Sequence, residues 1–229
     1  MSTSIIAQLV KKDLLIMRKM IFIIVIVNIL LVTITALLFG KIPHWAFINL
    51  AFMLLIAPSV TCGVALIMKT IVMEKVKSTQ LFIMSLPVTV KEFTAAKSLV
   101  NIPVFFVLWL LGSGASFYFA FGLDVFPHGT IPFISMIFLG ILLAYTCIFS
   151  TSLLSQSHGL TILSMPVFSL GTSAYLWVIV YQESIMNHIY GSVSVWNSTA
   201  IGIVLTQILA TGLVLCLTFY IQNRKRDFI

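Results

Sequence analysis

Long apolar runs, separated by short clusters of charged and polar residues, make up most of this chain. A helix that crosses about 30 Å of hydrocarbon needs about 20 mostly apolar residues, and six runs of this length occur. None of the six contains Asp, Glu, Lys, Arg or His, and they cover residues 21–40, 46–68, 98–121, 131–153, 160–181 and 199–221. Because backbone groups in lipid must be hydrogen-bonded within the segment, the runs are predicted to be helices. The pattern predicts an all-α membrane protein with six transmembrane helices in one domain over residues 1–229.

The composition excludes a soluble domain. Charged residues make up 8% of the 229 residues and hydrophobic residues 60%, whereas a soluble domain has about 25% charged residues. The net charge of +7 does not indicate nucleic acid binding, because the charges lie in short clusters between apolar runs and form no basic stripe with interleaved aromatic residues. No nucleic acid partner is predicted, and lipid is expected to be the solvent for most of the chain.

The basic residues predict the orientation. Of the thirteen Lys and Arg residues, all except Lys41 precede the first run, lie between the second and third, or follow the sixth. Loops on the cytoplasmic side carry an excess of Lys and Arg, so this side is predicted to face the cytoplasm. The expectation is a multi-pass protein of the plasma membrane with both termini in the cytoplasm.

The cysteines and the histidines of the opposite side suggest no metal site. The cysteines lie inside apolar runs, where a thiol usually behaves as a small hydrophobe, and the histidines lie in separate loops without ligand spacing. No metal ligand and no disulfide is predicted among these residues, which are Cys62, Cys147, Cys216, His44, His128 and His188.

Residues 4–20 have the pattern of an amphipathic interfacial helix. At 100° per residue the basic side chains, Lys11 and Lys12 among them, share one face and apolar side chains share the other, which predicts a helix lying flat on the inner membrane surface. Asp13 falls among the apolar residues. Either it is a locally water-exposed carboxylate, or this face packs on protein and Asp13 meets a Lys or backbone N–H donors.

Residues 69–97 form the longest predicted cytoplasmic segment. Pro87 disfavours helix at the residue before it, and Thr89 and Glu92 have the spacing of a capping box at a helix start. The pattern predicts a short helix near Thr79–Ser85, a turn at Pro87 and a new helix running into the third span. The exposed apolar residues of the short helix would lie against the membrane or insert into a partner protein, and both alternatives stand; they are Leu81, Phe82 and Met84.

Motifs for nucleotide binding and hydrolysis are missing from the sequence. No G-x-x-x-x-G-K-[ST], H-E-x-x-H or G-x-S-x-G pattern occurs, so no catalytic residue and no cofactor are predicted on this chain. The absence of ionisable residues from the six runs also argues against an ion-coupled pump. Four amides remain inside the runs, where they either join helices by hydrogen bonds or contact a cargo: Asn28, Asn49, Asn101 and Gln207.

Several short patterns together resemble the membrane subunits of the ABC type-2 export permeases. They are the amphipathic start ending in Lys11-Lys12-Asp13, the six spans, and Glu74-Lys75 followed by Leu86-Pro87-Val88, Glu92 and Lys97. Within that family the chain is most similar to the small stand-alone permeases found with peptide, bacteriocin and drug exporters.

The resemblance implies a function and a set of partners. In such permeases a coupling helix between the second and third spans docks into a groove on a separate P-loop ATPase subunit, which binds ATP and Mg²⁺, and two permease subunits, identical or paralogous, line one path. Carried onto this chain, the coupling residues are Glu74, Thr79, Leu81, Phe82, Met84, Leu86, Pro87, Val88 and Glu92. The expected cargo is hydrophobic or amphipathic, such as a peptide, a drug or a lipid-like molecule, and the expected direction is outward.

A different class of function also fits the spans. A membrane scaffold or assembly protein that transports nothing would have the same hydropathy, but it would have no ATPase partner, and its deletion would leave efflux unchanged. An intramembrane enzyme is disfavoured because no pair of catalytic residues is present.

Overall fold

The computed structural model of the chain describes residues 2–77, 88–155 and 157–224, and all regular structure in these ranges is helical. The helices, in chain order, are α1 (Ser2–Leu38), α2 (His44–Ile67), α3 (Met73–Val76), α4 (Val90–Phe121), α5 (Ile131–Leu154), α6 (His158–Val180), α7 (Glu183–Ile189) and α8 (Ser198–Arg224). A π-helical turn, Met68–Val72, joins α2 to α3, and a 3₁₀ turn, His128–Thr130, precedes α5.

Six of these helices are long and apolar enough to cross a membrane, which confirms the prediction of an all-helical, six-span protein. They are α1, α2 with its continuation through α3, α4, α5, α6 and α8. The predicted and observed ends agree within a few residues for α5, α6 and α8. The third span starts earlier than its apolar run, at Val90, because the residues after Thr89 continue the helix without a break.

The N-terminal helix differs from the prediction. Helix α1 has 37 residues, so it is about 55 Å long at 1.5 Å per residue. It runs without interruption through residues 4–20 and 21–38, and no Gly or Pro occurs in this stretch to end it. The chain therefore has one continuous helix where the sequence predicted a separate interfacial helix followed by a span.

The spanning helices pack as two groups of three. Helices α1, α2 and α4 contact one another and are called the first three-helix group, while α6 and α8 pack on α5 to form the second three-helix group. Helix α5 also contacts α2 and α4, so it lies at the centre of the bundle. Large apolar side chains on the outer helices are exposed, for example Phe22 on α1, Leu170 on α6 and Leu209 on α8, and these faces suit lipid.

Small residues allow the helices to approach closely where the two groups meet. A Cβ atom on Gly63 of α2 would lie 2.8 Å from the ring of Tyr145 on α5. That ring stacks on Phe105 of α4, with the centroids 3.7 Å apart. Close packing of this kind replaces the hydrophobic driving force, which is absent between helices in lipid. One end of this bundle carries Lys12, Lys75 and Lys97, and it is called the basic end.

Candidate functional site: an ionic network at the basic end

Four charged side chains meet at the basic end. Lys12 and Asp13 come from α1, Glu74 from α3 and Lys97 from α4. The Lys12 ammonium lies 2.5 Å from Glu74 Oε1 and 3.3 Å from Asp13 Oδ1, and the Lys97 ammonium lies 2.8 Å from Asp13 Oδ2 and 2.7 Å from Glu74 Oε2. These four contacts, called the ionic network, join three separate elements of the first half of the chain.

Lys97 is the centre of the ionic network. Its ammonium group donates hydrogen bonds to Asp13 Oδ2 and, over 2.7 Å, to the carbonyl oxygen of Thr70, and it forms an ion pair with Glu74 Oε2. Lys97 is 2% exposed and Asp13 is 1% exposed. Buried charges are stable only when they are paired and hydrogen-bonded. Here the two ammonium and two carboxylate groups balance, so the network is neutral as a unit.

The ionic network lies toward the basic end and not at the centre of the spans. Asp13 precedes Ile21, where the apolar run of α1 begins, by eight residues, or about 12 Å along the helix. Lys97 directly precedes the run that begins at residue 98. The network is therefore placed where the apolar part of the bundle ends.

The π-helical turn helps to form this site. π turns inside α-helices are rare and occur frequently at functional sites. The turn contains Thr70, whose carbonyl accepts from Lys97 and whose hydroxyl lies 2.8 Å from Leu66 O and 3.0 Å from Asn101 Oδ1. The Asn101 amide nitrogen in turn donates to Lys97 O at 2.9 Å. Hydrogen bonds thus extend the site one turn deeper along α4.

Tyr145 links this polar cluster to the second three-helix group. Its hydroxyl on α5 donates to Asn101 O over 3.0 Å, and both residues are buried. The same ring packs against Gly63 and Phe105. The contact holds α5 against α4 just below the ionic network.

Lys75, the residue after Glu74, makes a second polar contact with the second three-helix group. Its ammonium lies 2.6 Å from Ser152 O, 2.6 Å from Ser155 O and 3.3 Å from Thr161 Oγ1. The last carbonyls of a helix have no partner within the helix. Lys75 provides a hydrogen-bond donor for such carbonyls at the end of α5. Gln222 of α8 adds a hydrogen bond of 2.6 Å to Leu153 O at the same helix end.

The capping box that the sequence predicted at the start of α4 is confirmed. Thr89 accepts from the backbone N–H of Glu92 at 3.3 Å, and the Glu92 carboxylate accepts from the backbone N–H of Thr89 at 2.9 Å. Val88, just before it, is half-buried. The predicted short helix near residues 79–85 and the turn at Pro87 lie outside the described residues, and with them the coupling residues Thr79, Leu81, Phe82, Met84, Leu86 and Pro87.

The three predicted residues of the N-terminal segment have different surroundings. Asp13 packs on protein and meets a lysine, as the second of its two interpretations expected. Lys12 is half-buried in the ionic network. Lys11 is exposed.

The four amides of the spans are also placed differently. Asn101 is fully buried in the polar cluster below Lys97, and Gln207 of α8 is buried and donates to Met136 O of α5 at 3.0 Å. Asn28 is buried on α1, and Asn49 borders the cavity described next. Asn101 thus joins α4 to the π-helical turn through the Thr70 hydroxyl, and Gln207 joins α8 to α5. Contact of any of the four with a cargo stays a prediction.

A cavity of about 790 Å³ lies between α2, α5 and α6 and extends toward α7. Its wall is mostly aliphatic and aromatic, with hydroxyl groups at Ser59, Ser169, Thr172 and Ser173. Among the described residues that line it, none is Asp, Glu, Lys, Arg or His. The cavity suits an apolar or amphipathic molecule better than an ion.

Reasoning from the sequence missed much of this site. Lys75, Thr70 and Tyr145 were not named as site residues, and Lys75 and Lys97 entered only as part of the resemblance. The useful signal was the position of Asp13 on an apolar helix face, because a carboxylate there needs a cationic partner. Lys97, at the edge of an apolar run, is such a partner, but only the packing of α1 on α4 pairs the two.

The fold and the site define an all-helical, multi-pass membrane protein whose charged groups are concentrated at one end of the bundle. In the described ranges no group of three or more His, Cys, Asp or Glu side chains is arranged to hold a metal ion. Comparisons of this chain with known protein families, with curated protein sequences and with solved structures find no match.

Proposed function

We propose that this chain is the membrane-spanning permease subunit of an ATP-driven exporter of the ABC type-2 class. It moves a hydrophobic or amphipathic cargo across the plasma membrane and depends on a separate P-loop ATPase, which carries ATP and Mg²⁺. The observation that supports this most is the ionic network, because it joins α3 and α4, the two helices that flank residues 78–87, the middle of the proposed coupling segment 69–97.

The two helices on either side of residues 78–87 contact each other. Helix α3 ends two residues after Glu74, α4 begins at Val90, and the 2.7 Å contact between Glu74 and Lys97 joins these two helices. Separating one partner from a buried ion pair costs about 3–5 kcal/mol. A force applied to residues 78–87 therefore moves α3 and α4, and with them α1, as one body.

The cavity supports the proposed cargo class. Its aliphatic and aromatic wall can accommodate apolar groups, and its hydroxyl groups and Asn49 can orient a few polar atoms. Charged residues are missing from the six apolar runs, so a hydrophilic ion would find no partner along them. A peptide, a drug or a lipid-like molecule matches this lining.

The remaining partners follow from the same proposal. A second permease copy or a paralogue completes the path, and the exposed apolar faces contact membrane lipids. With the basic end in the cytoplasm, as the distribution of Lys and Arg predicts, both termini and residues 78–87 are on the side where ATP is available.

Co-purification with the ATPase tests the proposal. The tagged full chain, extracted from its native membrane in mild detergent, is expected to bring down a P-loop ATPase. Leu81→Asp and Phe82→Asp, singly and together, are expected to abolish its recovery, because each places a charge in the proposed docking surface. Gln8→Asp, which adds the same charge at an exposed site on α1, is the matched control and should retain the ATPase.

The outcomes separate the two classes of function. A scaffold or assembly protein predicts that no ATPase is recovered with the wild-type chain and that deletion leaves cargo efflux unchanged. If Gln8→Asp lost the ATPase to the same extent as Leu81→Asp and Phe82→Asp, the residues around Leu81 would not be the docking surface.

A further inference from the structure

Glu74 and Lys75 are adjacent on α3, yet their side chains reach different halves of the protein. Successive residues of a helix point about 100° apart. Glu74 contacts Lys12 and Lys97 in the first three-helix group, and Lys75 contacts the end of α5 and the start of α6 in the second. Helix α3 thus connects to both groups directly before residues 78–87.

The Lys75 ammonium group has specific hydrogen-bond acceptors in the second three-helix group. Three acceptors, two backbone carbonyls and the Thr161 hydroxyl, match the three donors of its ammonium group. The acceptors come from two helices, so Lys75 ties the end of α5 to the beginning of α6. Hydrogen bonds from a charged donor are about twice as strong as neutral ones.

The π-helical turn contacts both three-helix groups and adjoins α3, which carries Glu74 and Lys75. Residues Met68–Val72 connect α3 to α2 and contact α1 of the first group as well as α5 and α6 of the second. Its wider winding exposes Thr70 O to Lys97. Movement of α3 therefore changes the position of both groups through separate side chains.

We infer that Glu74 and Lys75 transmit a movement of residues 78–87 to different halves of the permease. Glu74 conveys it to α1 and α4, and Lys75 conveys it to α5 and α6, which form one wall of the cavity. Both are positioning residues that act through other groups. The inference rests on the proposed function, and it assigns to Lys75 a role that neither the sequence patterns nor the resemblance gave it.

Two single-cysteine reporters test this division. Leu99→Cys on α4 and Leu160→Cys on α6 replace exposed side chains near the two contacts. They are made separately in a Cys147→Ser/Cys216→Ser background, in which only the buried Cys62 remains. Each is labelled with an environment-sensitive fluorophore in the complete complex with its ATPase, reconstituted in nanodiscs. In the otherwise wild-type complex, ATP with Mg²⁺ is expected to shift the emission of both labels.

The two neighbouring residues serve as controls for each other. Lys75→Met is expected to abolish the ATP-dependent shift at position 160 and preserve the shift at 99, whereas Glu74→Gln is expected to do the reverse. A general loss of structure in the complex would alter both labels together. ATPase recovery should be unchanged in Lys75→Met, because Lys75 is not one of the proposed coupling residues, and the shifts in Glu74→Gln are measured per ATPase recovered.

Failure of the inference can be distinguished from failure of the proposed function. If no ATPase accompanies the wild-type chain, the proposed function is wrong and the inference falls with it. If the ATPase is present and Lys75→Met still shows the full shift at position 160, only the inference is overturned. Should Lys75→Met not fold, Thr161→Val, which removes one acceptor and leaves the charge in place, is expected to weaken the shift at 160 alone. An unchanged shift at 160 in that variant would also overturn the inference.

Discussion

Lys97→Met is expected to remove most of the folded protein, with a loss of stability of about 3–5 kcal/mol. The substitution keeps the length and apolar stem of the side chain but removes its charge. Asp13 and Glu74 would then share Lys12 as their remaining ionic partner, and Thr70 O would lose its hydrogen bond. The expected result is a much smaller monodisperse peak in size-exclusion chromatography and a lower melting temperature in detergent.

The same helix provides the control for this prediction. Lys91→Met makes the same chemical change six residues earlier on α4, where the lysine is exposed, and it should be close to neutral. In the double variant Asp13→Asn/Lys97→Met, Lys12 and Glu74 remain as a balanced pair, so the loss should be smaller than the sum of the two single losses. A melting temperature of Lys97→Met equal to that of Lys91→Met would show that the ionic network does not stabilise the fold.

Gly129→Val is expected to disrupt the end of the bundle opposite the basic end. A Cβ atom on Gly129 would overlap His188 O and lie 2.9 Å from Gly191 O, and both are backbone atoms that cannot rotate away. The Gly129 N–H also donates to Gly191 O at 2.9 Å, so the two loops are joined at this point. Overpacking commonly costs about 1–3 kcal/mol, and a backbone clash of this size should reach or exceed the upper value. Thermal melting in detergent would measure the loss.

Gly171→Val is the matched control for Gly129→Val. A Cβ atom on Gly171 would meet no atom within 4 Å, so the same substitution on α6 should leave the melting temperature nearly unchanged. Equal melting temperatures for the two variants would contradict the close approach of Gly129 to His188.

The sequence was sufficient to predict the spans because each is an uninterrupted apolar run of the length that a membrane requires. The capping box at Thr89 was predictable for a similar reason, since it depends on residues three positions apart. The continuity of α1 was not predicted. An amphipathic stretch followed by an apolar run suggests a bend at the membrane surface, but no Gly or Pro is present to break the helix, and the burial of Asp13 and Met17 favours a straight helix packed on α4.

The site was predicted only in part, because its partners are distant in sequence. Asp13 and Lys97 are 84 positions apart, and Lys75 and Thr161 are 86 apart. Such pairs depend on which helices pack together, and the six apolar runs by themselves do not specify this. The pattern of α1 left two interpretations of Asp13 open, and one of them, packing on protein against a Lys or backbone N–H donors, included the observed type of contact without specifying Lys97.

The side of the membrane on which the basic end lies determines whether an ATPase can act on this chain. Lys77→Cys at the basic end and Glu183→Cys on α7, both exposed positions, can be labelled in the Cys147→Ser/Cys216→Ser background with a membrane-impermeant maleimide. The permease proposal predicts that intact cells label Glu183→Cys, and that Lys77→Cys is labelled only after the membrane is opened or in inside-out vesicles. Labelling of Lys77→Cys in intact cells, with Glu183→Cys protected, would place residues 78–87 outside the cell, beyond the reach of ATP, and would contradict the account.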